Sequence, residues 1–114
     1  MDHKVALEYQ EIVSQLEAKF GSGLELDTIL LIIGVQELGQ GHKQFSKDEK
    51  INLMHIAICT ILEPFGFYEY THEDEDGWPH FKKVENLPPL VEKEQEFLLK
   101  KAVIQYFRVN EYLQ

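Results

Sequence analysis

Seven consecutive residues, Ile29-Leu30-Leu31-Ile32-Ile33-Gly34-Val35, offer no polar side chain in any direction. A segment that is apolar all round has to be enclosed by other parts of the fold, whatever secondary structure it takes. It is far shorter than the roughly twenty residues a membrane-spanning helix needs, so the enclosure is expected to be protein. The β-branched residues Ile29, Ile32, Ile33 and Val35 are compatible with a strand. The leucine content, the length of the stretch, a capping residue at Asp27 or Thr28 and Gly39 at the far end favour a central helix over about 26–38. Gly34, with no side chain, would let a neighbouring helix come close.

Candidate neighbours lie on both sides. Val5, Tyr9, Ile12, Val13, Leu16 and Phe20 recur as one stripe of an α-helix over about 3–20, ended by Gly21 and Gly23. Ser46 followed by Glu49 is a capping box, which starts a helix over about 47–62 that Pro64 and Gly66 stop. Its apolar set, Ile51, Leu53, Met54, Ile56, Ala57, Ile58, Ile61 and Leu62, covers most of the circumference and suits the middle of a bundle. A fourth helix is expected over about 89–112, opened by Pro88-Pro89 and favoured by Glu92, Glu94 and Glu96 at its positive end. Its strip is Val91, Leu98, Ala102, Val109 and Leu113, widened by Phe97, Ile104 and Phe107.

Between the third and fourth helices the pattern changes. Phe67, Tyr68, Tyr70 and Thr71, and then Trp78, Phe81 and Val84, favour strand, and the acidic run Glu73-Asp74-Glu75-Asp76-Gly77 between them is turn chemistry. A β-hairpin over about 67–83 follows, with Pro79 making the second strand an edge. Period two places Tyr68, Tyr70 and His72 on one face and Phe67, Glu69 and Thr71 on the other. A lone two-stranded hairpin is marginal, so one face should pack on helices. The fold class is therefore mainly α, a four-helix bundle-like single domain of 114 residues with a β-hairpin inserted between helices 3 and 4.

One cysteine, Cys59, excludes an intramolecular disulfide framework. Met1-Asp2-His3-Lys4 leads into a charged amphipathic stretch without the apolar core of a secretory signal, so a cytoplasmic protein is expected. Twenty acidic residues against eleven basic ones give a formal charge of −9. Such a charge repels nucleic acids and anionic membranes and favours cations or a basic protein partner, beyond its plain effect on solubility.

Several chemistries can be weighed on the residues. Asp74-x-Asp76-Gly77 resembles the middle of a calcium loop, but with Gly77 at position six His72 and Lys83 fall where carboxylates are needed. A solvated acidic turn is the simpler account. His72 and His80 flank the turn, and with Asp74 and Asp76 they could hold zinc or another divalent cation, although polar side chains on an exposed turn are the simpler account. Asn52, His55, Cys59 and Glu63 line one face of the third helix, and a histidine four residues from a thiol can activate it. A small core cysteine on the one polar stripe of a buried helix is the simpler reading. Gly34 to Gly39 has the spacing of a phosphate loop, but Gln40-Gly41 stands where Lys-Ser/Thr is required.

Tyr68, Tyr70, Trp78 and Phe81 beside carboxylates have the make-up of a protein contact surface, while Trp78 and Phe81 also suit packing beneath the hairpin. The expectation is a non-catalytic, small, acidic protein-interaction or assembly module, binding a protein partner or itself through an apolar helix face, without nucleic acid, membrane or cofactor. The alternative is a metal-binding or metal-dependent protein using His72, Asp74, Asp76 and His80.

Overall fold

The computed structural model describes residues 3–41, 43–86 and 90–110. The chain is mainly α, with helices α1 (His3–Phe20), α2 (Leu26–Leu38), α3 (Lys47–Leu62) and α4 (Glu92–Asn110). A short 3-10 turn, Glu63–Phe65, leads into an antiparallel hairpin of β1 (Tyr68–Glu73) and β2 (Pro79–Lys83) between α3 and α4. By contacts the chain divides into two compact units, Leu26–Leu87 and the flanking stretches Met1–Glu25 with Pro88–Gln114. No helix among the described residues is long and apolar enough to cross a membrane.

The Leu26–Leu87 unit is built on α2 against α3. Ile29, Leu30, Ile33, Gly34 and Leu38 of α2 are buried, as the all-apolar run requires. On α3 the buried residues are Leu53, Ile56, Ala57, Cys59, Ile61 and Leu62. The two backbones meet at Gly34, where an added Cβ would fall 2.8 Å from the carbonyl carbon of Leu53 and closer still to its oxygen. Helix α3 starts where its sequence dictates. Glu49 N–H donates to Ser46 Oγ at 3.1 Å. In return Ser46 N–H donates to Glu49 Oε1 at 2.8 Å, which closes the capping box.

The hairpin pairs Tyr68 with Lys83, Glu69 with Lys82, Tyr70 with Phe81, His72 with His80 and Glu73 with Pro79. The register shifts between Tyr70 and His72, so Thr71 is an extra residue bulged out of the ladder. That bulge corrects the period-two expectation for β1. Tyr68 and Tyr70 stay together, but His72 joins His80 on the face opposite the Tyr70–Phe81 pair. Thr71 is held in the bulge by its hydroxyl, which donates to the His80 carbonyl at 3.0 Å.

In the other unit α1 packs against α4. Ile12 and Leu16 are buried on α1, and Ala102, Val103, Ile104, Tyr106 and Phe107 on α4. Tyr9 is half-buried, with the Lys100 ammonium 5.0 Å from its ring centroid. Burial, and secondarily the charge of Glu96, pushes its hydroxyl up to about 12. Arg108 pairs with Glu8 across the two helices.

Parts of the expected apolar sets are not core. Phe20 is 54% exposed in the last residue of α1, Ile51 is 57% exposed in the first turns of α3, and Val91 and Val109 are 64% and 71% exposed. Val91 precedes α4, which begins at Glu92 rather than near 89. Glu94 Oε1 accepts from Val91 N–H at 3.2 Å, making Val91 the cap. Val109 lies past the buried stretch that ends at Phe107. Pro88, Pro89, Leu113 and His42 are outside the described residues.

Replacing Gly34 by Ala forces α2 and α3 apart at Leu53. Alanine adds about 1 kcal/mol of helix preference, but the overlap should outweigh it for a net loss of ~2 kcal/mol, or a melting temperature lower by roughly 10 °C in calorimetry. An unchanged melting temperature would show that the contact is not a constraint.

Candidate functional site

The hairpin is anchored at both ends of its turn by side chains within its own unit. Asp74 organises the turn. Its Oδ1 accepts from the N–H groups of Asp76 at 2.9 Å and Trp78 at 3.0 Å, and its Oδ2 lies 2.9 Å from His80 Nε2. The hydrogen bond with His80, followed by those from the backbone, holds the Asp74 carboxyl below the usual carboxylate range. Gly77 completes the reversal at φ 83°, a left-handed conformation that glycine adopts without strain. Gln40, in the loop after α2, donates from Nε2 to the Asp76 carbonyl at 2.7 Å, and the Lys43 ammonium donates to Gln40 Oε1 at 2.9 Å. From the same loop Phe45 meets Trp78 with ring centroids 6.4 Å apart, in the edge-to-face arrangement that aromatic pairs favour.

The polar stripe of α3 is where the strands sit. Asn52 and His55 face the hairpin across a shared cleft, and Tyr68 meets the His55 ring edge-on at 6.3 Å. One helical turn beyond Cys59, Glu63 Oε2 accepts the Tyr70 N–H at 2.7 Å. The one polar stripe of an otherwise buried helix is the seat of a β-hairpin.

Between α3 and the hairpin lies a cleft of about 440 Å³, lined by Glu49, Asn52, His55 and Ile56 from the helix. The hairpin supplies Asp74, Asp76, Trp78, Pro79, His80 and Phe81. This is within the size range of small-ligand and side-chain pockets. Among the described residues three carboxylates line it and no lysine or arginine does. Glu49 is held as a carboxylate by its bond from the Ser46 backbone.

Of the aromatic residues singled out from the sequence, Trp78 and Phe81 are half-buried and line the cleft. Tyr68 is half-buried against His55, and Tyr70 is exposed with its ring 5.8 Å from that of Phe81. Sequence reasoning found Asn52 and His55 on the helix side of the cleft and missed the other two residues there. Glu49 registered only as a cap and Ile56 only as core, although Glu49, Asn52 and Ile56 share one helical face.

The residues considered for a metal are neighbours but are not arranged as ligands. His72 and His80 stack with centroids 4.9 Å apart and planes 5° from parallel. Imidazole lone pairs lie in the ring plane, so stacked rings do not aim them at one point between the faces. His72 Nδ1 is 2.9 Å from Thr71 Oγ1, and His80 Nε2 is engaged by Asp74. Among the described residues no three His, Cys, Asp or Glu side chains are grouped to hold a metal ion.

Cys59 and His55 do touch, Sγ to Nε2 at 3.5 Å. The cysteine is buried, and burial pushes its thiol up to about 11, opposite to the shift a nucleophile needs. The geometry of a thiol–imidazole pair is present without its electrostatics.

The lowered Asp74 carboxyl makes the turn sensitive to acid. Its contribution is complete above the ordinary carboxylate value of about 3.9 and is lost as pH falls through the lower folded value. Trp78 emission should show a change below about pH 4 that the Asp74→Ala protein lacks, and Asp74→Ala should loosen the hairpin amides in hydrogen exchange at neutral pH. Hairpin exchange identical to wild type would remove Asp74 from this role. Cys59 should react with iodoacetamide near neutral pH at least about tenfold more slowly than a free thiol of ordinary pKa, because little thiolate forms. Rapid modification of the folded chain would contradict the buried, neutral thiol.

Comparison with protein-family models, with curated proteins and with solved structures finds no match to this chain.

Proposed function

We propose that this chain is a non-catalytic, cytoplasmic protein-interaction module that binds through the hairpin and the facing side of α3. The observation that carries the reading is the cleft itself, in which Trp78 and Phe81 stand beside Glu49, Asp74 and Asp76. Large, rigid aromatic rings bury contact area at low entropic cost, and half-exposed ones at a groove are typical anchors of protein interfaces. Tyr70, 46% exposed beside Phe81, extends that surface along the hairpin. The turn is fastened by Asp74 and Gln40 and the strand by Glu63. The groove is therefore preformed, and little ordering cost falls on binding.

The side chains on α3 and the hairpin support binding over catalysis. The one cysteine is buried with its thiol pushed up, and the stacked histidines are committed to neighbours within the hairpin.

Selection from a random peptide library, with a Phe81→Ser protein as counter-selection, tests the proposal. Enriched peptides should bind the wild type and bind the variant roughly tenfold more weakly, the share expected of an interface anchor. Sedimentation equilibrium on the same protein covers self-association. A strict monomer that retains no peptide in preference to the Phe81→Ser protein would overturn the reading.

A further inference from the structure

We infer that the cleft between the hairpin and α3 receives a basic side chain, arginine above lysine, from an extended segment of a partner protein. This rests on the interaction reading above and names the chemistry of the partner.

The charges decide the occupant. Glu49 borders the cleft from the helix and Asp74 and Asp76 from the turn, with no lysine or arginine among the lining residues. Asp74 is used internally, because both its oxygens hold the turn and His80. Asp76 is different. Its N–H and carbonyl are engaged by the turn and by Gln40, while its carboxylate makes no ion pair among the described residues. Glu49 accepts from the Ser46 N–H through Oε1 and feels the charge of Lys43, but makes no ion pair among the described residues. Two carboxylates thus border the cleft with acceptor capacity to spare.

The rest of the wall suits the stem of a long cationic side chain. Ile56 and Pro79 are apolar, and Trp78 and Phe81 present ring surface, which attracts a cation electrostatically as well as covering methylenes. The planar guanidinium can stack on a ring and donate to carboxylates at its edge at the same time, and an ammonium cannot do both as well. Asn52 adds a side-chain carbonyl that accepts from the same donors. A neutral segment would bring the Asp76 carboxylate and Glu49 Oε2 no cationic partner, and an acidic one would repel them. The formal charge of −9 adds long-range attraction for a basic chain.

Trp78 is the only tryptophan, so intrinsic emission reads the cleft directly. The full chain is titrated with acetylated, amidated pentapeptides of glycine and serine carrying one central arginine, lysine or citrulline, at low and physiological salt. Citrulline keeps the shape of arginine and removes its charge. The arginine peptide should shift Trp78 emission saturably, with the lysine peptide weaker and citrulline weaker by about tenfold. Asp76→Asn and Glu49→Gln should each weaken the arginine peptide about three- to fivefold. Glutamine still serves a capping box, so Glu49→Gln keeps α3 intact. Glu92→Gln, which removes one charge outside the cleft, should leave binding unchanged.

If citrulline binds as well as arginine, or Glu92→Gln weakens binding as much as Asp76→Asn, the cationic site is overturned. Library peptides that are neutral yet lose binding on Phe81→Ser would overturn it too, while the interaction reading stands. If no peptide of any kind is retained, both fall.

Discussion

The close approach of α2 to α3 at Gly34 is the contact on which the Leu26–Leu87 unit depends. A helix that is apolar all round gains most from burial when its neighbour reaches its backbone, and Gly34 lets the Leu53 carbonyl do so. Ile29, Leu30 and Ile33 on one side and Leu53, Ile56 and Ala57 on the other are fully or almost fully withdrawn from water around that point. Once α3 presents its apolar arc to α2, its polar stripe of Asn52 and His55, continued by Glu63 in the turn that follows, is left to face elsewhere. The hairpin takes that place.

The hairpin holds its position through polar contacts as much as through apolar ones. Two strands alone do not bury enough to stay folded. Here the loop after α2 reaches the turn through Gln40 and Phe45, and Glu63 captures a strand N–H. Asp74 satisfies the turn's own donors. These bonds keep Trp78 and Phe81 half-buried at the edge of a groove, where they serve both as fasteners of the hairpin and as open surface. The acidic run that reads as a solvated tip is split by this arrangement. Asp74 is structural, and Asp76 borders the cleft.

Some of the candidate chemistry was legible in the sequence and some was misleading. His72 and His80 were placed across from each other correctly, since they flank the turn at matching distances. The bulge at Thr71 was hidden, because alternation carries no mark of an extra residue, and it is what puts the stacked histidines on the face opposite Tyr70 and Phe81. The His55–Cys59 contact was equally plain from spacing four residues apart on a helix. Whether that contact activates a thiol depends on burial, and burial pushes the thiol up. Spacing tells which side chains meet and says little about the dielectric around them.

By itself the sequence determined the four helices, the hairpin between the third and fourth and the capping box at Ser46. Each is local, set by periodicity or turn chemistry within a few residues, whereas the need for glycine at Gly34 comes from Leu53 on another helix. Only the tertiary structure decided that the polar stripe of α3 is a seat for strands and that Glu49 and Asn52 share a cleft with Trp78 and Phe81. The same holds for the division of duties between Asp74 and Asp76. Those facts join side chains from separate elements of the chain, and that separation is bridged by packing, on which helical and strand periodicities are silent.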